Sequence, residues 1–294
     1  MNPVSNPAGP STGLSAWLQP FLQAGLMPYV AASERTAAAL AVARLGSVPC
    51  VIKVMERAED RAFHLAYLAA NAIGFGNPAL KMPNWVYIDC VLMQTAVIGF
   101  CIPRDSAPAA LIEAFAADPS VPLEALDALP VSGQIAGLAL DGDTLIGFSL
   151  FSLRKFMPAL QNLALGPATK AMALSLYRAE ERQRFQGIAQ YDNPALKVHA
   201  RFGRQIEIDQ PVMPLHPLGH MTMVYGMKAD LDFARIFSGL QGAEPYDILL
   251  RADDAAAKEG LVAGRVKGLR YIICPPYQIE RDGALYLPLR VEKD

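Results

Sequence analysis

Residues 157–209 constrain the fold more than any other stretch, because apolar segments of different period alternate there with turn residues. The pattern predicts, in order, strand, turn, helix, strand, helix and strand, at residues 160–165, 166–167, 169–186, 188–191, 193–202 and 205–209. A strand, a crossover helix and a parallel strand form a βαβ unit. Such a unit binds ligands at the carboxyl end of its first strand, where the N–H groups of the next helix start lack partners and attract anions.

The letters around this predicted helix start follow a known motif. Residues 165–175 read LGPATKAMALS. They resemble the pyrophosphate-binding turn of the GCN5-related N-acetyltransferase superfamily, where a Val-x-Pro turn precedes Arg/Gln-x-x-Gly-x-Gly/Ala. Lys170 stands at the Arg/Gln position, and Ala173 and Ser175 stand at the two small-residue positions.

A second motif of the same superfamily matches the later predicted helix. Residues 192–204 read DNPALKVHARFGR, whereas the superfamily has Asn-x-x-Ala/Ser-x-x-Leu-Tyr/His-x-x-x-Gly-Phe. The positions that fall on this pattern are Asp192, Ala195, Val198, His199 and Gly203. Three features of the superfamily are absent: both loop glycines are replaced, no carboxylate precedes the loop, and the usual proton-donating tyrosine is His199.

The resemblance implies an α/β (α+β) fold with a mixed, twisted sheet of the acyl-CoA N-acyltransferase type. It covers residues 85–230, which we expect to form the acetyltransferase-like domain. Residues 1–84 are then a helical N-terminal addition, and residues 231–294 are a small α/β C-terminal extension.

The function implied by the resemblance is acyl transfer from acetyl-CoA or another acyl-CoA to a small-molecule amine. The strand at 160–165 would offer its free edge to the pantetheine arm, and the amides that follow would bind the pyrophosphate. The expected CoA contacts are Leu163, Leu165, Lys170, Ala171, Met172, Ala173, Leu174 and Ser175. His199 would protonate the leaving thiolate, and no metal is implied. Two alternatives remain open: a catalytically silent acetyltransferase-like binding protein, and a structural oligomerisation protein.

Composition excludes several other classes. The chain of 294 residues has a net charge of −2 and no basic block, so it lacks the electrostatic footprint of a nucleic-acid-binding protein. Only 18% of its residues are charged, which favours a buried homo-oligomer contact. Its four cysteines form no ligand motif, and no Lys or Arg precedes Arg35. Both observations favour a cytoplasmic protein with reduced thiols.

One apolar run raises the question of a membrane span. Residues 85–102 are long enough to cross a bilayer as a short helix. However, Asp89 lies inside the run, prolines bracket it, and β-branched and aromatic residues dominate. We therefore predict one or two buried strands there, and no membrane association.

Further elements follow from local signals. Asp141-Gly142 predicts a hairpin between strands at 134–140 and 144–153. We also predict a helix at 123–129 and strands at 222–227 and 269–273.

Overall fold

The structure is a computed structural model that describes residues 13–44, 48–76, 82–92, 95–139, 141–216, 218–239 and 242–293. The helices in these ranges are α1 (Leu14–Gln23), α2 (Glu34–Arg44), α3 (Arg61–Phe75), α4 (Asn84–Leu92), α5 (Ala109–Ala116), α6 (Leu165–Leu176), α7 (Ala195–His199), α8 (Phe233–Ser238) and α9 (Ala255–Val266). The strands are β1 (Met27–Ala32), β2 (Val51–Val54), β3 (Ala96–Pro103), β4 (Ala128–Leu138), β5 (Thr144–Ser152), β6 (Arg184–Gln190), β7 (Ile206–Gln210), β8 (Thr222–Met227), β9 (Ile248–Arg251), β10 (Leu269–Ile273), β11 (Ile279–Arg281) and β12 (Ala284–Lys293).

The chain divides into two compact units. Unit 1 contains the described residues through Leu138 together with Phe148–Arg178, and unit 2 contains the described residues of Ala139–Gly147 and of Ala179–Asp294. Strand β5 therefore contributes its first residues to unit 2 and its last residues to unit 1.

Unit 1 is a sheet segment in the order β2-β1-β3-β4, followed by the end of β5. Strands β1 and β2 are parallel, and β3 is antiparallel to both β1 and β4. Nearly every residue of β3 and β4 is buried, because helices pack on both faces. The hydroxyl of Ser132 lies 2.6 Å from that of Thr169 on α6, and the neighbouring Gly133 faces Tyr67 on α3.

Unit 2 has the strand order β5-β6-β8-β7-β10-β12, with β9 and β11 both paired to β12. Among the described strands of this unit, β5 and β6 pair in parallel and the other pairs are antiparallel. Two helices of this unit begin with an aspartate cap: Asp232 accepts a hydrogen bond from the Arg235 amide, and Asp254 accepts one from Ala257. The prediction of a mixed α/β fold is confirmed.

Several local predictions are confirmed as well. Strands β8 and β10 have the predicted bounds. The hairpin forms between β4 and β5, where the carboxylate of Asp141 accepts hydrogen bonds from the amides of Asp143 and Thr144, and Gly142 has a φ of 73°. The four cysteines are all free.

The predicted strand at 160–165 is wrong. Residues Pro158–Leu160 form a 3-10 turn, and Leu165 already begins α6. Gly166-Pro167 is typical of a turn, but a proline is also compatible with the first turn of a helix, where its missing N–H has no partner to lose. Helix α6 ends at Leu176 rather than near residue 186. Arg178 follows with a left-handed φ of 50°, which ends the helix, and β6 begins at Arg184.

Residues 85–92 form a helix rather than the predicted strand. Tyr87 and Val91 are buried one turn apart, whereas Trp85 and Ile88 are 66% and 44% exposed, which is helical spacing. The ring of Tyr87 stacks on Tyr67 of α3 at 5.0 Å, and this packing outweighs the β propensity of the segment. The strand prediction holds only for β3. In the described part of the chain, no helix is both long and apolar enough to cross a membrane.

The predicted helix at 123–129 is also wrong. Only Leu123–Ala125 forms a single 3-10 turn, and Ala128 begins β4. Pairing of Ala128 with Pro103 at the end of β3 decides this segment, and that contact is invisible to local propensity.

Candidate functional site

Unit 2 contains a parallel strand pair of the kind that the sequence resemblance implies. The register of β5 and β6 runs from Thr144 opposite Arg184 to Gly147 opposite Gly187. Helix α6 lies between the two strands in the chain, so strand, helix and parallel strand occur in the predicted order. The first strand is β5, one element earlier than the sequence motif suggested.

The parallel pairing is short. Strand β6 continues through Gln190 with β8 on its other side, where Ile188 pairs with Val224 and Gln190 with Thr222. Among the described residues, no strand register extends along the β5 side of residues 188–190. In the described part of the chain, residues 188–190 therefore lack a strand partner on that side, and an extended ligand can add there as a strand does.

His199 lies near the point where the pairing ends. It is the last residue of α7, is 7% exposed, and stacks on the ring of Tyr225 at 4.9 Å with an interplanar angle of 28°. Tyr225 lies on β8 opposite Gly187. Burial raises the pKa of the Tyr225 phenol well above its usual value, so this group stays neutral.

Gly187 is required by this arrangement. A Cβ built at Gly187 would lie 2.5 Å from the Tyr225 hydroxyl, closer than any real contact of that kind. Because position 187 has no side chain, the phenol lies directly against the backbone of β6. The imidazole, the phenol and the end of the parallel pair thus form one compact group in unit 2.

The predicted pyrophosphate contacts lie elsewhere, in the interior of α6. Residues 170–174 are fully buried, and Lys170 is 0% exposed. Desolvation lowers the pKa of the Lys170 ammonium well below its usual value. Because α6 begins at Leu165, the amides of residues 170–175 lie beyond its first turn and bond to carbonyls within the helix. The expectation that these amides lack helical partners is wrong.

Leu163 and Leu165, expected on a free strand edge, lie at the entry to α6. The Leu163 amide donates to the Leu160 carbonyl at 2.9 Å, and the Leu165 amide donates to the Leu163 carbonyl at 3.0 Å. Two exposed cations, Arg154 and Lys155, follow β5 in unit 1, and neither belongs to the sequence motifs. The sequence shows this pair of cations, because Arg154 and Lys155 follow an apolar strand.

His216 and His220 lie four positions apart, a spacing that places two metal ligands on one face of a helix, but both rings contact other residues. The ring of His216 lies 3.1 Å from both the Leu218 amide and the Thr222 hydroxyl, and His220 lies 3.4 Å from Glu259. Within the ranges that the structure describes, no group of three or more His, Cys, Asp or Glu side chains is placed to hold a metal ion.

Comparisons with known proteins add little. No protein-family profile matches the chain, and no curated protein matches it. Among solved structures, it is similar to the crystal structure of nourseothricin acetyltransferase, with a TM-score of 0.28 and 11% sequence identity. That match covers 35% of this chain and 59% of the other protein. A similarity this low does not indicate a function, so a functional proposal has to rest on the geometry of the residues.

Proposed function

We propose that the chain is an acyl-CoA-dependent N-acyltransferase that moves an acyl group from CoA to an amine, and that it is a divergent member of the acetyltransferase superfamily. One observation carries this proposal: the parallel pairing of β5 and β6 stops at Gly147 and Gly187, beside His199 and Tyr225. The sequence resemblance implies a parallel strand pair that separates beside a proton donor, although it assigns the first strand and the free edge to residues 160–165, which do not form a strand.

In this proposal, the edge of β6 at residues 188–190 pairs with the amide groups of the pantetheine arm. The thioester then lies near Gly187, where the strand pairing ends. The amine nitrogen attacks the thioester carbonyl carbon, the C–S bond breaks, and the nitrogen releases one proton to solvent. The thiolate takes up a proton from the imidazolium of His199, which regains one from solvent, and the products are an amide and a free thiol.

Tyr225 acts on this step through His199. Its ring covers one face of the imidazole and fixes the ring plane, so Tyr225 is a positioning residue. A histidine suits the role of donor because its ordinary pKa lies near neutrality. Residues 170–175 have no role in the proposed reaction, because backbone amides in the interior of a helix cannot bind a phosphate.

A catalytically silent, acetyltransferase-like binding protein is the second candidate. The burial of residues 170–174 favours this candidate, since the residues of the pyrophosphate-binding motif are packed in the interior of unit 1. The two candidates differ in turnover rather than in fold.

Calorimetry with acetyl-CoA and an assay of thiol release with a panel of amines test both. We expect His199→Gln to lower the rate of thiol release by about a hundred- to ten-thousand-fold while the dissociation constant for CoA changes little. Lys197→Gln is the matched control, because Lys197 is exposed on the same short helix. Binding without turnover would support the silent candidate, and no heat at millimolar CoA would refute acyl-CoA use.

A further inference from the structure

A second candidate site lies on the opposite face of the unit 2 sheet. Strand pairing places Gln186, Gly226, Glu207, Ile272 and Arg290 in one row across five strands. The adjacent row contains Tyr225. Because successive side chains of a strand point to opposite faces, the Glu207 row faces away from Tyr225 and His199.

Glu207 is the centre of an ion-pair network on this face. Its side chain is 10% exposed and accepts hydrogen bonds from Arg265 at 2.9 Å and from Arg270 at 2.9 and 3.3 Å, while Arg184 lies at 3.4 Å. Burial opposes the charged carboxylate. Hydrogen bonds from Arg270 and the charges of the three arginines outweigh burial, so the pKa of Glu207 lies below its usual value.

The side chain of Arg184 crosses the sheet through space that a glycine, Gly226, leaves open. It starts on β6 and passes over β8 to reach Asp209 on β7, where its Nε donates to Oδ2 at 3.2 Å. A Cβ at Gly226 would lie 2.3 Å from that Nε and 2.3 Å from Oδ2. The guanidinium therefore lies flat on the sheet only because position 226 has no side chain.

Arg184, Glu207 and Arg270 line a cavity of about 730 Å³, which is within the range of small-molecule sites. Its cationic lining residues are Arg184, Arg204, Lys228, Arg270 and Arg290. The carboxylates of the lining are Glu207, Asp230 and Glu244. Four ion-pair partners lie behind this lining: Asp209 pairs with Arg184, Glu292 with Arg270 and Arg290, Arg265 with Glu207, and Arg235 with Asp230. The whole network then has seven cations and five carboxylates, so a surplus of two positive charges remains, and part of the remaining wall is apolar.

The arginines keep accessible surface although carboxylates hold them in place. The side chains of Arg184 and Arg270 are 33% exposed, and that of Arg290 is 30% exposed. A guanidinium has five N–H donors in a fixed plane, so it can hold a structural carboxylate on one side and an oxyanion on the other. Carboxylates that fix the guanidinium planes in advance also lower the entropy cost of binding.

We propose that this cavity binds a small dianion through its oxyanion groups, carboxylate or phosphate, with Arg290 and Arg184 as the main contacts. The charge surplus matches a ligand with two negative charges. The site is separate from the proposed acyl-transfer site and does not depend on it.

Calorimetric titrations at constant ionic strength test this inference. The probes are succinate and inorganic phosphate, with succinamide as the uncharged counterpart of succinate. We expect saturable binding of at least one dianion and none of succinamide. Binding of succinate alone would indicate a dicarboxylate ligand, and binding of phosphate alone would indicate a phosphate-bearing one.

Two variants locate the binding. Arg290→Gln should weaken it at least about tenfold, because a neutral amide cannot replace a charge-assisted contact. Its partners Glu244 and Glu292 are 52% and 33% exposed, so water can solvate them once Arg290 is gone. Arg281→Gln is the control, since Arg281 is 68% exposed in unit 2 and does not line the cavity. Absence of binding to the wild-type protein below about 10 mM, which corresponds to less than about 3 kcal/mol, or equal binding by Arg290→Gln, would overturn the proposal.

Discussion

Glu207→Gln should destabilise unit 2 strongly, although it only replaces one carboxylate oxygen by an NH2 group. The glutamine amide keeps one acceptor oxygen, but its NH2 group then faces guanidinium donors. At least one of the two oxygen positions therefore loses its contacts, either to Arg265 and Arg270 or to Arg270 and Arg184. Hydrogen bonds to charged groups contribute about 1.5–3 kcal/mol each.

The arginines reduce this loss because they are partly solvated. Each is about a third exposed or less, so water replaces some of the lost interaction. Removal of one partner from a fully buried ion pair costs about 3–5 kcal/mol. For this network we expect a decrease of about 2–4 kcal/mol in the free energy of unfolding of unit 2.

Hydrogen exchange read by mass spectrometry checks the location of the effect. Peptides that cover β7 and β10 should exchange faster in Glu207→Gln at pH 7, whereas peptides from β3 and β4 in unit 1 serve as the internal reference. Both tryptophans, Trp17 and Trp85, lie in unit 1, so their fluorescence does not report on unit 2 directly. Hydrogen exchange therefore locates the loss of stability in unit 2 better than tryptophan fluorescence does.

The pH dependence follows from the lowered pKa of Glu207. Folding lowers this pKa, so the carboxylate contributes stability above its unfolded pKa of about 4.3 and loses it as the pH falls through the folded value. The difference between wild type and Glu207→Gln should be full at pH 7 and shrink below about pH 4.

A matched variant tests whether burial of the carboxylate determines how much stability its loss costs. Glu244 is 52% exposed and pairs with Arg290 at 3.4 Å, so Glu244→Gln should cost less than about 1 kcal/mol. If Glu207→Gln costs no more than Glu244→Gln, or if the difference from wild type persists unchanged at acid pH, the reasoning about this network fails.

Three further predictions concern single sites. Ala173→Glu should destabilise unit 1 by about 4 kcal/mol or more, because it places a carboxylate on a fully buried face of α6; a wild-type melting temperature would contradict this. Gly260→Ala should raise stability by about 0.5–1 kcal/mol in urea titrations, because a Cβ there meets nothing within 4 Å in α9; a loss of stability would show an unseen contact. Cys50 and Cys101, whose pKa burial raises to about 12, should resist a disulfide reagent at pH 8 until urea unfolds the protein, and labelling of folded Cys101 within minutes would refute this.

The local signals that proved reliable are those whose cause is itself local. Asp141-Gly142 specifies a hairpin because the carboxylate binds the next amides and glycine tolerates the left-handed φ. The bounds of β8 and β10 also follow from apolar runs bordered by polar or proline-rich segments. The same reasoning failed for segment 85–92, because its conformation depends on a partner distant in sequence, Tyr67, which stacks on Tyr87.

The sequence by itself determined the fold class, several element bounds and His199 as a residue of interest, because periodicity and motif spacing are properties of neighbouring residues. Only the tertiary structure decided that residues 170–174 are buried and that Tyr225 stacks on His199. The same holds for the ion-pair network around Glu207. Its members come from three strands and a helix, and they carry no common motif. Strand register across the sheet brings Arg184, Asp209 and Arg270 to one face, and register depends on pairings that no local pattern in this chain encodes.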